Sequence, residues 1–568
     1  MRSPLSSFLP LYAVRTTPAA ARRCGLTTGR LALWAALPAG LAACSESAQP
    51  LRPPLAHSAQ SQVRPYAAPF GYGCNLGYYG PGWTDEQLAA AARAAGVGTL
   101  RVALPERFLA QWGVPVRRST FRYYADSLGL RELVCFVGEP APAHADPTVY
   151  PGCTEPSKLF ANLYEPIWGP DGRVNPRNYY AHYVYQVLQQ YGDQVRFWEV
   201  VNEPDFIFDQ SNKQWRQHPP APAELANLRA PVYHYIRTLR ITWEVVKKYR
   251  PDAYVTPGGL GYPEFLDALL RYSDNPNGGA LTAEYPATGG AYFDALDYHV
   301  YPAYDLRRRE WRRAGRFAYQ RHSDAAAAQL LAHKNAMEAV LRRYGYDGRS
   351  YPRKPVIVTE ANVSRRPADW RYGSDELQRN FGLKALILAQ KHGISQLHFY
   401  QLAETAPVPP PGQVPAPAAE FGLMGLYQHL PPTAATPPTL TPLGRAGRTA
   451  AQLLRGLAYD AARTAALRLP VTVEGAVFTA GPRTVYVLWA RTTQDRSEQA
   501  AATYAFPAAL SLRDLQPYPW NYDPAGAALP GCQSARRVQL TGTPTFFVPA
   551  AATDNLAATK LRQSQRHL

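Results

Sequence analysis

The chain has 568 residues, of which 46% are hydrophobic and 12% aromatic, so it can bury a large core and is not a disordered tail. Its formal net charge is +17, but Lys and Arg are scattered rather than arranged in a stripe, and no nucleic-acid-binding motif is present. The composition therefore predicts one large domain with a smaller one and argues against nucleic acid as a partner.

The first 43 residues have the pattern of an export signal. They carry five Arg and no acidic residue, and the apolar run LALWAALPAG is too short for a permanent membrane helix. The sequence LAAC, at Leu41–Cys44, resembles the lipobox of bacterial lipoproteins, which implies cleavage before Cys44 and lipid attachment to its thiol. An ordinary secretory signal with an incidental Cys is the alternative. We expect a lipid-anchored protein of the bacterial cell envelope, periplasmic or at the cell surface, with residues 44–69 as a tether.

Four cysteines follow the lipobox, at Cys74, Cys135, Cys153 and Cys532. An exported compartment permits disulfides, and four cysteines allow three pairings among which the sequence does not choose. Their spacing is not typical of a metal site, so we expect no metal ligands here.

From residue 70 the chain alternates short apolar strands with amphipathic helices. The first helix illustrates the pattern, because Thr84 and Gln87 form a capping box at its start and Gly96 ends it. Strands are predicted to begin near residues 71, 99, 133, 195, 253, 295, 355 and 396. Eight strands separated by helices predict an α/β fold, a TIM (β/α)8 barrel over residues 70–457, with its active-site groups at the C-terminal ends of the strands.

Residues 458–568 have a different pattern. Short alternating segments, such as VTVEGAVFTA and TVYVLWARTT, predict a small antiparallel β-sandwich. We expect this domain to pack on the barrel as a structural partner. A glycan-binding role would need an exposed aromatic strip, for which PYPWNYDP, at Pro517–Pro524, is the nearest candidate.

Two glutamates follow predicted strands of the barrel. Glu203 ends the fourth strand, in FWEVVNEP, and Glu360 ends the seventh, in VIVTEAN. Closure of a barrel brings both strand ends to one mouth. Hydrolysis of a glycosidic bond needs such a pair, because one carboxyl protonates the leaving oxygen while the other, ionised, attacks the anomeric carbon. The two motifs together are far more specific than NEP alone.

These motifs resemble those of the retaining glycoside hydrolases of clan A, over about residues 70–457, without resolving the family within the clan. The resemblance implies that Glu203 is the acid/base and Glu360 the nucleophile in a double displacement on a glycan. It also implies that Asn202 holds the substrate 2-hydroxyl. The mechanism needs neither a metal nor an organic cofactor. Glu203 is expected to carry the proton in the free protein because the charge of Glu360 lies nearby.

Three further positions resemble clan residues. Arg101, at the end of the second strand, resembles the arginine that keeps the nucleophile ionised. His299 and Tyr301, in DYHVYP, resemble the pair on the sixth strand, where the tyrosine hydroxyl orients the nucleophile. An ordinary ion pair at the barrel rim, for Arg101, and a core pair, for His299 and Tyr301, are the alternatives.

The chain departs from the clan at the expected floor of the sugar site. Many members carry a Trp on the eighth strand, whereas this strand reads HFYQLAE and offers Tyr400. The third strand ends in VGEPAP instead of a common His. Trp311 and Trp370 lie in predicted loops over the mouth and are the candidates for sugar platforms, and Trp198 could face either the barrel interior or the helices.

Two other functions share these residues. A catalytically silent barrel could bind glycan for an uptake system, and a transglycosylase differs only in the acceptor that reaches the intermediate. The basic run YDLRRREWRRAGR, at residues 304–316, is typical of a solvated or membrane-facing loop; the alternative is a contact for an acidic glycan or an anionic lipid. Long predicted loops after the fourth, sixth and eighth strands favour a pocket and exo action on oligosaccharides.

Overall fold

The computed structural model describes residues 65–207, 214–302, 319–367, 372–405, 417–526 and 529–550. The predicted export signal, the lipidation site at Cys44 and the tether up to residue 64 lie outside this part of the chain. So do Trp311, Trp370 and the basic run at 304–316.

Eight parallel strands form the barrel, and each begins within two residues of its predicted position. The strands are β1 (Gly71–Asn75), β2 (Thr99–Ala103), β3 (Leu133–Val137), β4 (Val195–Val200), β5 (Tyr254–Pro257), β6 (Leu296–Val300), β7 (Val356–Ala361) and β8 (Ile394–Phe399). Their order in the sheet is β5-β4-β3-β2-β1-β8-β7-β6. The remaining seam, between β5 and β6, is bridged by Leu260, whose N–H donates to the Asp297 carbonyl at 3.1 Å. The predicted TIM barrel is therefore confirmed.

Helices follow the strands and cover the outside of the barrel. They are α1 (Asp85–Ala94), α2 (Glu106–Trp112), α3 (Arg118–Arg122), α4 (Tyr179–Tyr191), α5 (Val232–Tyr249), α6 (Pro263–Arg271), α7 (Ser323–Arg343), α8 (Asp375–Lys391) and α9 (Pro442–Leu454), with the short α10 (Ala461–Ala466) leading into the second domain. The predicted capping box of Thr84 and Gln87 is present at the start of α1. Among the described residues, none of the helices combines the length and apolar composition needed to cross a bilayer.

The bottom of the barrel is filled by apolar side chains from alternating strand positions. Phe197 on β4 stacks on Tyr254 of β5 with ring centroids 5.1 Å apart, and Tyr66 packs beneath them. Phe197 therefore points into the barrel, and its neighbour Trp198, which is fully buried, packs in the outer layer between strands and helices. The same alternation turns Glu199 inward, toward the site described below.

The second domain is antiparallel, as predicted. Its strands are β9 (Ala458–Tyr459), β10 (Val473–Ala480), β11 (Arg483–Ala490), β12 (Ala501–Tyr504), β13 (Asp514–Tyr518), β14 (Gln533–Ser534), β15 (Val538–Thr541) and β16 (Thr545–Pro549). Six of them form a sheet in the order β14-β13-β16-β11-β10-β9, and β12 pairs with β15. The two sheets enclose an apolar core of their own.

The sandwich packs on the barrel through buried polar contacts. The Glu498 carboxylate accepts the Ser323 N–H at 2.8 Å and the Asn380 side-chain amide at 2.9 Å. Within PYPWNYDP, the ring of Trp520 lies 4.5 Å from the Arg379 guanidinium on α8. The Tyr522 carbonyl accepts the Thr449 hydroxyl on α9. Pro517 and Tyr518 end β13, and the rest of this segment is a loop packed on barrel helices.

All four cysteines that follow the lipobox are free thiols. Cys74 and Cys135 are buried in the barrel, where burial raises the pKa of each thiol. None of the three possible pairings is formed, so hydrophobic burial rather than a disulfide network stabilises the barrel.

Candidate active site

Glu203 lies on a turn that the surrounding chain holds in an unusual backbone conformation. Val201 has φ +60° and Glu203 φ +44°, values that residues with a Cβ seldom adopt. The Glu203 N–H donates to the Gly258 carbonyl at 2.6 Å, and the Asn227 side chain donates to the carbonyls of Asn202 and Glu203. Strain of this kind persists where neighbours impose it, and it is concentrated at functional sites.

Glu360 reaches the mouth because β7 carries an irregularity in its pairing with β6. Tyr298 pairs with Val358, whereas the next residue, His299, pairs with Glu360, so β7 has one extra residue at this point. A bulge re-aims side chains. As a result, both Thr359 and Glu360 contact groups at the mouth.

The two carboxylates are close together. One oxygen of Glu203, one oxygen of Glu360 and one ring nitrogen of His299 all lie within 4.8 Å of one another. The side chain of Glu203 is 22% exposed and that of Glu360 is 11% exposed, so solvent reaches Glu203 more easily. Two carboxylates this close can both contact one bond of a bound substrate.

The guanidinium of Arg101 connects four side chains inside the barrel. Its Nη1 lies 2.5 Å from Glu360 Oε1 and 2.8 Å from Asn75 Oδ1. Its Nη2 lies 2.6 Å from Asn202 Oδ1, and its Nε and Nη2 both donate to Glu199. The planar guanidinium of Arg101 therefore holds the Glu360 carboxylate and the Asn202 side chain in fixed positions relative to each other.

Glu360 is ionised by its neighbours. Burial on its own would raise the pKa of its carboxyl, but the charges of His299 and Arg101 and the hydrogen bond from Tyr301 outweigh burial and lower the pKa. The Tyr301 hydroxyl donates to Oε2 while Arg101 donates to Oε1. Each oxygen of the carboxylate thus has one donor that fixes its direction.

His299 lies between the two carboxylates as a cation. Its Nδ1 is 2.8 Å from Glu203 Oε1 and 3.7 Å from Glu360 Oε2. Burial would lower its pKa, but Glu360 and Glu203 raise the pKa to about 9. The Thr359 hydroxyl donates its hydrogen to Asp297. The Thr359 oxygen therefore accepts a hydrogen bond from the other ring nitrogen of His299, Nε2, at 3.0 Å. His299 is therefore a double donor at neutral pH.

Aromatic rings flank the nucleophile candidate. Tyr400, Tyr301 and Phe421 contact one another edge to face, with centroids 5.1 to 6.2 Å apart. Burial, together with the charges of Glu360 and Glu203, raises the pKa of Tyr400, so its phenol stays neutral. An uncharged ring beside the carboxylates, at the end of β8, is where a sugar floor is expected.

The third strand ends in a charged rim beside the acid candidate. Glu139, with φ +50°, pairs with Arg107 at 2.7 Å. The Lys158 ammonium donates to the Asn227 side chain, which in turn supports Glu203. The position where clan members commonly place a His is thus occupied here by an ion pair.

Seven of the predicted site residues converge on this mouth: Arg101, Asn202, Glu203, His299, Tyr301, Glu360 and Tyr400. Trp311 and Trp370 lie outside the described residues. Sequence analysis missed Asn75, Glu199, Asp297 and Thr359, which support the groups above. For Glu199 and Asp297 the missed signal was strand alternation, which turns each toward the barrel interior, as it turns Phe197 and His299.

Glu203, His299 and Glu360 are also a set of residue types that can bind a cation. Both oxygens of Glu360, however, already accept hydrogen bonds, and the Arg101 guanidinium 2.5 Å away would repel a positive ion. The donor set therefore favours proton transfer and nucleophilic attack over metal binding.

The sequence matches no protein-family model and no curated protein. Among solved structures, the chain aligns with a family 39 glycoside hydrolase from Bacteroides cellulosilyticus WH2, with a TM-score of 0.53 and 16% identity, over 85% of this chain and 81% of that one. The two chains share a fold. A GH30 endoxylanase from Clostridium papyrosolvens C71 aligns at TM-score 0.46 and 12% identity, over 86% and 97% of the two chains. An α-L-arabinofuranosidase from Thermotoga maritima aligns with a TM-score of 0.43 and 11% identity, over 88% of this chain and 98% of that one.

Proposed function

We propose that the protein is a retaining glycoside hydrolase that cleaves O-glycosidic bonds of a glycan by double displacement. The observation that carries this proposal is the pair Glu203 and Glu360, whose oxygens lie within 4.8 Å of each other at the mouth of a (β/α)8 barrel. The shared fold with a glycoside hydrolase supports it.

In the first step, Glu360 attacks the anomeric carbon, the bond to the leaving oxygen breaks, and Glu203 gives its proton to that oxygen. The product is a glycosyl ester on Glu360. The imidazolium of His299, 2.8 Å from Glu203, then stabilises the carboxylate that Glu203 becomes.

In the second step, Glu203 takes a proton from water, the water oxygen attacks the anomeric carbon, and Glu360 leaves as a carboxylate. Arg101 and Tyr301 donate to that carboxylate and so stabilise it as a leaving group. Asn202 accepts from Arg101 through Oδ1, which leaves its amide nitrogen to donate to a substrate hydroxyl. Such a bond strengthens as the oxocarbenium-like state forms.

The test is hydrolysis by the purified protein on aryl glycosides and polysaccharides, with products identified by mass spectrometry. Glu203→Gln and Glu360→Gln are assayed alongside, and Glu376→Gln, an exposed glutamate on α8, serves as the matched control. We expect release by the wild type and the control, with loss of at least a thousandfold in both site variants. Binding of glycan with no hydrolysis by any protein would favour the silent-barrel alternative.

We also propose export and lipid anchoring through Cys44, on the strength of the LAAC motif. Mass spectrometry of the N-terminal peptide from membranes tests this proposal, since a diacylglyceryl group on Cys44 is expected and an unmodified N-terminus would contradict it. Cys44→Ala should release the protein from the membrane fraction.

A further inference from the structure

A cavity of about 590 Å³ opens beside the barrel, away from the catalytic cluster. It is formed by the long loop between β3 and α4 and by the first turn of α5. Both follow the C-terminal ends of strands, so the cavity lies on the same face of the barrel as the proposed active site. We call it the Tyr150 pocket; the lining residues used below are Asp146, Tyr150, Asn162, Tyr164, Glu165 and His234.

Three rings line the Tyr150 pocket. The centroids of Tyr150 and Tyr164 lie 5.5 and 5.3 Å from that of His234, and all three side chains are half-buried. The Tyr150 hydroxyl lies 3.1 Å from His234 Nδ1. Burial lowers the pKa of His234 to about 4, so the ring is neutral at physiological pH. The pocket thus offers flat rings with polar edges, and the Arg237 guanidinium lies over the Tyr164 ring, 5.5 Å from its centroid.

Two carboxylates line the pocket, and one of them, Glu165, is paired with the Arg177 guanidinium at 3.0 Å. The other is Asp146, and Asn162 adds an exposed side-chain amide. A carboxylate accepts hydrogen bonds from hydroxyls and an amide both donates and accepts them, while a negatively charged ligand would meet the like charge of Asp146. A neutral polyol that can also stack on rings satisfies both constraints.

The pocket is held in shape by the barrel. The Asn178 side chain donates to the carbonyls of Leu163 and Glu165, and the guanidinium of the buried Arg237 donates to the same two carbonyls. The loop carrying Tyr164 is therefore tied to the starts of α4 and α5. A preformed concave site loses less entropy on binding than a loop that must be ordered.

The same loop leads from the pocket to the active-site rim. Phe160 lines the pocket, and two residues earlier Lys158 donates to Asn227, which supports the carbonyl of Glu203. The Lys158 N–H also donates to the Leu228 carbonyl, so the loop is anchored there. The pocket and the acid candidate are thus linked by one short, fixed stretch of chain.

We propose that the Tyr150 pocket is a second glycan-binding site that stacks a neutral sugar unit on Tyr150 and Tyr164. The pocket retains a long chain whose cleavage occurs at Glu203 and Glu360. This inference rests on the proposed function for the identity of the ligand as a glycan.

The experiment measures retardation of the full chain in native gels that contain arabinoxylan, galactomannan, mixed-linkage β-glucan or polygalacturonate. All proteins carry Glu360→Gln to prevent digestion. Tyr150→Ala and Tyr164→Ala are compared with Tyr249→Ala, a half-buried tyrosine at the far end of α5. We expect both pocket variants to bind one neutral polysaccharide at least fivefold more weakly than the parent protein, and the control to change by less than twofold. With polygalacturonate, we expect the parent and the pocket variants to be retarded equally.

Two further variants keep the test decisive if an Ala variant does not fold. Tyr150→Phe retains the ring and should bind within twofold of the parent, whereas Asp146→Asn combined with Glu165→Gln should weaken binding at least threefold. Equal retention of all folded pocket variants and the Tyr249→Ala control would overturn the proposal, as would no retention of the parent by any neutral polysaccharide.

The two proposals fail in different ways. If the wild type hydrolyses glycosides but the pocket variants bind polysaccharide unchanged, the pocket proposal fails alone. If the pocket variants lose binding but the wild type hydrolyses no glycoside, the pocket stands and the hydrolase function is wrong.

Discussion

Glu199 and Arg101 form a two-point ion pair inside the barrel, with Nε 2.8 Å from Oε2 and Nη2 2.6 Å from Oε1. The Glu199 side chain is completely buried and that of Arg101 is 3% exposed. The same guanidinium contacts Glu360 at 2.5 Å. Glu199 therefore sets the orientation in which Arg101 meets the proposed nucleophile.

We predict that Glu199→Gln lowers both activity and stability. The amide keeps the size of the side chain but removes the charge that fixes Arg101, and breaking a buried ion pair costs about 3 to 5 kcal/mol. Chemical unfolding should show a loss of about 3 kcal/mol, and kcat/KM should fall by about tenfold to a hundredfold through kcat. An unchanged kcat in a folded Glu199→Gln protein would contradict this positioning role.

Tyr301→Phe removes one hydroxyl from Glu360 and leaves the ring that contacts Tyr400 and Phe421. A hydrogen bond to a charged group contributes about 1.5 to 3 kcal/mol. We expect kcat/KM to fall by about tenfold to a hundredfold, with the melting temperature nearly unchanged because the ring still packs. Steady-state kinetics with thermal unfolding checks both parts; a variant as active as the wild type would show that the hydroxyl does not act on the nucleophile.

The raised pKa of His299 predicts a pH dependence of stability. The pKa rises from 6.5 to about 9 on folding, so the stabilisation is complete below about pH 6.5 and is lost as the pH rises through about 9. The difference corresponds to about 3 kcal/mol. Unfolding free energies of wild type and His299→Gln should therefore converge by roughly that amount between pH 6 and pH 9.5. A constant gap across this range would show that His299 is not a cation in the folded protein.

Glu498 is predicted to stabilise the contact between the two domains. It accepts from Ser323 and Asn380, and Glu498→Ala would leave these buried donors unpaired, at a cost of about 1 to 3 kcal/mol each. Thermal unfolding should shift downward by several degrees. The neighbouring Gln499→Ala, at an exposed position, is the control and should leave the transition in place. Equal transitions for both variants would mean that this contact adds no stability.

The barrel was predictable because each strand is a short apolar run between helices with clear caps, as at Thr84. Glu203 and Glu360 were predictable because their motifs end such strands. Glu199 lies inside β4 and not after it, so no motif at a strand end marks it, and only the inward turn of every second residue indicates its direction.

Other features depend on contacts that are remote in sequence. Phe421 reaches Tyr301 from a segment 120 residues along the chain. The Tyr150 pocket is likewise built by Asn178 and Arg237, which hold carbonyls of a loop that lacks regular secondary structure. No local pattern marks either arrangement, because burial and hydrogen bonding across the fold create both.

The stereochemistry of hydrolysis tests the central claim most directly. Proton NMR during the first minutes of reaction, on the glycoside that the substrate panel identifies, distinguishes the two anomers of the released sugar before they interconvert. The short distance between Glu203 and Glu360 predicts that the first product has the same anomeric configuration as the substrate. Initial release of the opposite anomer would contradict double displacement through Glu360.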